Sequence, residues 1–209
     1  MKKIFLLILV SVFFQTPKAK AYYTFLTTGD LPQQKEYKVT SFVQLITDGP
    51  VGTTVNAQLE SYFRDDISLL FAVGAGAHQV ISASAKWVPI PDLDRQASLG
   101  VLLGVHIGKF KTTNTENNES KSKSQQDFSI FTKAFLSKEF SVESGTMKSF
   151  ASLHLGVQKL EDKTQFPMLI GVGTELNLQI QPKFKFIGEL GFNLNQAFTY
   201  ISAGAVFVY

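Results

Sequence analysis

The chain has 209 residues, with 20 Lys and Arg against 17 Asp and Glu, 44% hydrophobic residues and no cysteine. The absence of cysteine excludes disulfides, thiolate metal sites and a lipid anchor on an N-terminal cysteine. Four lysines lie in the first 21 residues, so the rest of the chain holds 16 basic and 17 acidic residues, a formal net charge of −1. That charge gives no basis for binding nucleic acid.

The first 21 residues have the pattern of a cleavable secretory signal peptide. Two lysines precede an apolar run at residues 4–14, and Ala19-Lys20-Ala21 provides a cleavage site of the small-x-small type. The apolar run is shorter than the roughly 20 residues that a membrane-spanning helix needs. We expect cleavage after Ala21 and export of the mature chain; an uncleaved anchor is the alternative. Residues 22–36 show no alternation and are expected to form a leader before the first strand.

From residue 37 onward, ten stretches alternate between apolar and polar residues with period two, the pattern of strands with two chemically different faces. The predicted strands are 37–46, 54–63, 67–77, 80–88, 96–110, 128–138, 147–159, 168–180, 184–195 and 198–209. Residues 112–127 contain no apolar side chain and are expected to form a long solvated loop, and residues 139–146 a second long link. Residues 37–209 therefore form a single β domain.

The polar face of these strands decides between two kinds of barrel. Soluble barrels place apolar side chains inside, whereas membrane barrels place them outside against lipid. Here the polar face is rich in Gly, Ser, Asn and Gln, with sparse charges of both signs that are suited to pairing inside a lumen. The acids on this face are Glu60, Glu175 and Glu189, and the lysines are Lys38, Lys86, Lys133, Lys148 and Lys185. The predicted luminal polar network is Glu60, Lys86, His106, Lys133, His154, Glu175 and Glu189.

Aromatic residues fall at both ends of the apolar faces, as membrane–water interfaces favour. The two predicted girdles comprise Tyr37, Phe63, Trp87, Phe184 and Tyr209 at one end, and Phe128, Phe166 and Phe192 at the other. The sequence therefore predicts an all-β protein, a transmembrane antiparallel up-and-down barrel of about ten strands, with eight as the alternative. Such a barrel has no free edge, so the last strand must pair with the first.

A signal peptide, continuous alternation and a final strand ending Phe207-Val208-Tyr209 resemble the small outer-membrane β-barrels of Gram-negative bacteria. The resemblance implies a location in the outer membrane, lipid as the surrounding partner, and periplasmic chaperones and the barrel-assembly machinery during biogenesis. It also implies that Phe207 and Tyr209 belong to the assembly signal. With both termini periplasmic, residues 22–36 form a periplasmic leader and loop 112–127 faces the cell exterior.

The sequence predicts no catalytic, metal or cofactor site. Ser152-Leu153-His154 is the nearest match to the Ser–His pairs of lipid A-modifying barrel enzymes, but strand parity places both polar residues in the lumen. Small barrels have interiors filled by side chains. We therefore expect a structural or surface-interaction protein with a largely plugged polar lumen and an unidentified surface ligand. A narrow porin-like channel is the alternative, and a lipid-modifying enzyme a distant one.

Overall fold

The computed structural model describes residues 25–48, 52–93, 96–116, 119–160 and 163–209. The predicted signal peptide, residues 1–21, lies outside the described residues. Within these ranges no helix is long and apolar enough to cross a membrane. The regular structure consists of β-strands, as the period-two alternation predicts.

The described chain forms eleven strands. They are Tyr37–Ile46 (β1), Gly52–Arg64 (β2), Ile67–Gly76 (β3), His78–Ile90 (β4), Ser98–Glu116 (β5), Glu119–Val142 (β6), Gly145–Leu160 (β7), Lys163–Gln165 (β8), Met168–Leu178 (β9), Phe184–Asn195 (β10) and Tyr200–Val208 (β11). All pairings are antiparallel; β9 pairs with β7, and the three-residue β8 pairs with the end of β7 alone. Ten strands close the barrel when β11 pairs with β1, so the prediction of a ten-stranded barrel is confirmed.

The two faces of the barrel wall have opposite character. Apolar side chains point outward; Val55, Leu103 and Ile107, for example, are 55%, 60% and 61% exposed. Inside, Lys86 and Lys133 are completely buried. A soluble barrel would have the reverse arrangement, whereas a barrel surrounded by lipid needs an apolar exterior and an internally satisfied polar interior.

The interior also contains apolar side chains from alternate positions of the strands. Leu70, Leu102, Phe131, Phe135 and Leu169 are buried and form one cluster inside the barrel. Glycines of the wall make room for the larger ones. A Cβ on Gly100 would lie 2.3 Å from the Phe135 ring, so the glycine lets that ring approach the wall closely.

The predicted loop over residues 112–127 is wrong as a secondary-structure assignment. β5 and β6 remain paired from Ser98↔Ser137 to Glu116↔Glu119 and form one long hairpin. Polarity alone suggested a loop, but the threonines of this stretch favour extended backbone. Beyond Phe110 and Asp127 the neighbouring strands have ended, so these residues pair only with each other.

The predicted long link at residues 139–146 is also wrong. β6 continues to Val142 and β7 begins at Gly145, so only two residues connect the strands. Gly145 has φ of 153°, and a Cβ there would lie 2.0 Å from the carbonyl oxygen of Asn177. Glycine permits this tight reversal where other residues would be strained.

Candidate functional site in the barrel interior

The N-terminal segment folds into the barrel. Phe25, Leu26, Thr27 and Thr28 are each at most 4% exposed, although they belong to no strand. We call residues 25–31 the plug segment. The sequence predicts a leader outside the strands, and the structure instead places this part of it within the lumen. It lies at the end of the barrel that carries Tyr37 and Tyr209, and an exposed turn at residues 33–35 connects it to β1.

Polar groups of the wall bind the main chain of the plug segment. The Gln58 amide accepts a hydrogen bond from the Leu26 N–H and donates one to the Leu26 carbonyl, both at 3.3 Å. Lys133 Nζ donates to the Phe25 carbonyl at 3.2 Å. Ser137 Oγ accepts from the Gly29 N–H at 3.0 Å. These bonds satisfy peptide groups that burial would otherwise leave unpaired.

Lys86 is the main anchor of the following residues. Its Nζ lies 3.0 Å from Thr27 Oγ1, 3.2 Å from the Thr28 carbonyl oxygen and 2.7 Å from the Asp30 carbonyl oxygen. The same ammonium group is 2.5 Å from Glu60, so its charge is balanced by the wall. A fully buried lysine is tolerable here because these four oxygens replace the water around its ammonium group.

Two apolar side chains of the plug segment occupy separate pockets. Phe25 packs in the large interior cluster, with its ring 5.7 Å from that of Phe131. Leu26 packs with Phe42 and Phe150 in a second cluster. A cavity of only about 10 Å³ remains between residues 26–28 and the facing wall, which leaves room for one water molecule at most.

Asp30 carries the negative charge of the plug segment. Its carboxylate pairs with Lys148 and lies 3.3 Å from Lys185, and Lys38 Nζ binds its carbonyl oxygen at 2.9 Å. Burial acts to raise the pKa of Asp30, but the positive charges of Lys38, Lys148 and Lys185 outweigh it and hold the pKa below its ordinary value. The plug segment is thus held by charge as well as by hydrogen bonds.

The structure places all seven residues of the predicted luminal network inside the barrel, where they form four groups rather than one. Glu60 pairs with Lys86, and Lys185 lies 2.8 Å from Glu175. Glu189 binds Lys133 at 3.1 Å and lies near His154. The fourth group joins His106 Nε2 to Asp127 at 3.1 Å, and Gln158 also donates to this carboxylate.

Two of these groups have the composition Ser–His–acid. Ser152 Oγ lies 3.1 Å from His154 Nε2 and 3.1 Å from Glu189, and Glu189 lies near the same ring nitrogen. Ser82 Oγ lies 3.3 Å from His106 Nδ1, with Asp127 on the opposite nitrogen. All of these side chains are buried inside the barrel and away from its lipid-facing surface. Each group is joined by hydrogen bonds inside the barrel.

The described ranges hold no cluster of three or more His, Asp or Glu side chains placed to bind a metal ion.

The connection between β10 and β11 packs into the opposite mouth of the barrel. Ala197 and Phe198 turn inward and are buried, and the Phe198 ring meets the His78 ring edge-on at 5.6 Å. Asp48 fixes this connection because its carboxylate accepts hydrogen bonds from the N–H and the hydroxyl of Thr199, at 2.7 and 2.8 Å. The interior is therefore occupied from both sides.

At the plug-segment end, a cavity of about 1220 Å³ opens to solvent, and Gly29, Asp30 and Leu31 contribute to its lining. The turn between β2 and β3 lies beside it. There Arg64 binds Asp66, which also accepts a hydrogen bond from the Trp87 indole at 2.9 Å. The hydrogen bond from the Arg64 guanidinium holds the pKa of Asp66 at about 2.

The predicted girdle residues lie on the outer surface near the two ends of the strands. Tyr37, Phe63, Trp87, Phe128, Phe166, Phe192 and Tyr209 are exposed, and Phe184 is half-buried against Phe186 and Phe207. Tyr37 and Tyr209 stack at 5.2 Å across the junction of β1 and β11. Phe140 is a further exposed aromatic at the Tyr37 end, which the sequence pattern did not identify.

Sequence reasoning missed the residues that hold the plug segment. Asp30, Gln58 and Ser137 were not predicted as site residues. One signal was available, because the polar face carries five lysines but three glutamates. Buried charges require partners, so the surplus of two positive charges indicated acids elsewhere. Asp30 supplies one of them from outside the strands.

No known family model matches the sequence, and no curated protein matches it. Among solved structures, a bacterial polysaccharide outer membrane secretin is 12% identical, with a TM-score of 0.44 over 84% of this chain. The chain covers 66% of that secretin's length. The translocator domain of the autotransporter NalP from Neisseria meningitidis is 10% identical, with a TM-score of 0.43 over 100% of this chain and 94% of its own.

The beta domain of the Bordetella autotransporter BrkA is 8% identical, with a TM-score of 0.41 over 83% of this chain and 98% of its own. These values describe a partial likeness of shape. The assignment of the closed barrel rests on its own strand pairing.

Proposed function

We propose that this protein is an outer-membrane β-barrel with a structural or surface-interaction role and a lumen that is closed at rest. The observation that carries the proposal is the occupied interior. The plug segment fills one side, Phe198 closes the other, and paired charges fill the space between. An exported barrel of this kind has lipid as its surroundings and needs no solute pathway.

The long β5–β6 hairpin supports surface interaction. It extends from the end of the barrel opposite Tyr37 and Tyr209. If both termini are periplasmic, as in the barrels that the sequence resembles, the hairpin stands outside the cell. Its sequence is polar and of mixed charge, and it is the part of the molecule that an external ligand would meet first.

The C-terminal strand supports assembly by the barrel-assembly machinery. Phe207 lies on the outer face of β11 and Tyr209 follows the strand directly, both exposed at the junction that closes the barrel. In this proposal periplasmic chaperones hold the chain before insertion, and no cofactor or chemical step is involved.

Planar-bilayer conductance of the refolded mature chain tests the closed lumen. A heat-dependent mobility shift on a gel first establishes that the barrel is folded. We expect a heat-shifting protein that passes no steady current. Reproducible ion-selective steps would overturn the closed-lumen proposal.

Such steps would favour the second candidate, a narrow channel. The observation in its favour is the open cavity of about 1220 Å³, which reaches into one mouth as far as Gly29–Leu31. Hydrated ions passing the plug segment would then carry the current. A channel of this kind should conduct without loss of the plug segment.

A further inference from the structure

We infer that the barrel interior is a binding site for an extended peptide, occupied in this molecule by the chain's own residues 25–31. The ligand class is a main chain that carries two adjacent apolar side chains, then two small hydroxyl residues and a glycine, and then a carboxylate. The inference goes beyond a closed barrel, because it assigns the interior a recognition function that another peptide of the same pattern would also satisfy.

The first ground is that the wall recognises peptide groups. Gln58 binds both the donor and the acceptor of one residue, Leu26. This two-bond match requires an extended peptide at a fixed position. Lys133 and Lys86 bind carbonyl oxygens at either side of it. A lumen that merely needed filling with apolar volume would not require a separate wall donor or acceptor for successive peptide groups.

The second ground is that the side-chain pockets are specific. Phe25 and Leu26 enter different apolar clusters. At Gly29 the wall approaches so closely that a Cβ would lie 2.0 Å from Ser98 Oγ and 2.7 Å from Ser137 Oγ. The site therefore accepts large side chains at two positions and leaves little room for one at a third.

The third ground is a charge site separate from the apolar pockets. Lys148 and Lys185 bind the Asp30 carboxylate from two different strands, β7 and β10. Their remaining partners are Glu139 and Glu175, at 3.3 and 2.8 Å. With Asp30 removed, Lys38, Lys148 and Lys185 would face only these two glutamates, so positive charge would be left in excess. A free peptide carboxylate at this position would be bound for the same reason.

The experiment uses the complete mature chain. A recognition sequence for a site-specific protease is inserted between Gln34 and Lys35, both exposed in the turn that precedes β1. The protein is folded in detergent micelles and cleaved afterwards, so that the barrel forms with the plug segment in place. Size exclusion at decreasing protein concentration then measures release of the fragment, and a fluorescent synthetic peptide of residues 22–34 measures rebinding.

We expect saturable rebinding, with competition by the unlabelled peptide. An Asp30→Asn peptide should bind roughly tenfold or more weakly, because it loses charge-assisted bonds. A Gly29→Leu peptide should fail to bind, because the wall leaves no room. A Gln33→Ala peptide is the matched control and should bind as the parent does, since that side chain is exposed outside the site.

Two outcomes would overturn the inference. One is a cleaved, heat-shifting barrel that releases the fragment and takes up no peptide at about a hundred times the protein concentration. The other is equal binding of the parent, Asp30→Asn and Gly29→Leu peptides, which would indicate non-specific uptake. Neither outcome depends on conductance, so failure here is distinct from failure of the closed-lumen proposal.

Discussion

At the residue scale, the interior is stable only because each buried charge has a partner. Lys133 and Glu189 show this most clearly. Both are fully enclosed, and Glu189 also engages His154 and Ser152. Breaking a buried pair by removing one partner commonly costs more than replacing both, because a lone charge remains in a dry interior.

Glu189→Leu should therefore destabilise the barrel by about 3–5 kcal/mol. Urea unfolding from lipid vesicles, followed by the fluorescence of Trp87, the one tryptophan, measures the change. The double variant Glu189→Leu with Lys133→Met should recover much of the loss, since no charge is then left unpaired. Equal stability of the single variant and the parent would contradict the pairing.

Asp30 makes docking of the plug segment pH-dependent in a defined direction. Its pKa in the folded protein is below the ordinary value of about 3.9. The charge contribution is then complete above the pKa of the unfolded chain and is lost as the pH falls through the folded pKa. Hydrogen-exchange protection of residues 25–31 should stay constant from pH 7 to about 4.5 and decline only at lower pH.

Asp30→Asn should lower that protection at pH 7 and flatten its dependence on pH. A decline of the parent's protection between pH 7 and 6 would instead point to a histidine as the titrating group.

At the element scale, the barrel wall could be predicted from the sequence, because the alternation indicates which side chains point outward and which point into the lumen. β1 and β10 have the predicted limits. The wrong predictions lie where the polarity of a stretch does not indicate its backbone conformation. The β5–β6 extension is polar but paired, and the tight turn before Gly145 depends on one positive φ that a composition pattern does not reveal.

The β5–β6 extension should be dispensable for folding, because beyond Phe110 and Asp127 its strands pair only with each other. Replacing residues 112–123 by a two-residue Asn-Gly turn joins the paired residues Lys111 and Ser124. The variant should keep the heat-dependent gel shift, and its free energy of unfolding in urea should stay within about 0.5 kcal/mol of the parent's. Shortening within the wall, by removing residues 104–107 and 128–131, is the matched control and should abolish folding. A failure of the first variant to fold would show that the extension guides assembly.

At the scale of the whole molecule, the sequence predicted closure but not what lies within it. Closure is expected because an open sheet edge would leave backbone N–H and C=O groups without hydrogen bonds in lipid. The position of the plug segment does not follow from strand patterns, because residues 25–31 contain no alternation. It depends on contacts between residues more than a hundred positions apart, such as Gly29 with Ser137. Only the unbalanced count of luminal charges pointed toward it.

The register between β1 and β11, which closes the barrel, can be tested with introduced cysteines, since the chain has none. Val43 lies opposite Ala203 across β1 and β11. Val43→Cys with Ala203→Cys should form a disulfide on mild oxidation, because paired strands bring their Cα atoms within the distance that a disulfide spans. Val43→Cys with Ala205→Cys, two residues out of register, should form much less. Equal yields, measured by thiol titration, would contradict the register.

The turn that precedes β1 has a thermodynamic consequence. Only five residues, Pro32–Glu36, join the plug segment to the barrel wall. A short tether of this kind holds a ligand at an effective concentration of about millimolar. A free peptide of equal intrinsic affinity would have to reach a similar concentration to displace the tethered segment from half of the barrels. The covalent connection, and not the strength of the contacts alone, thus keeps the interior occupied. A single cut in that turn would lower the occupancy more than most substitutions in the wall.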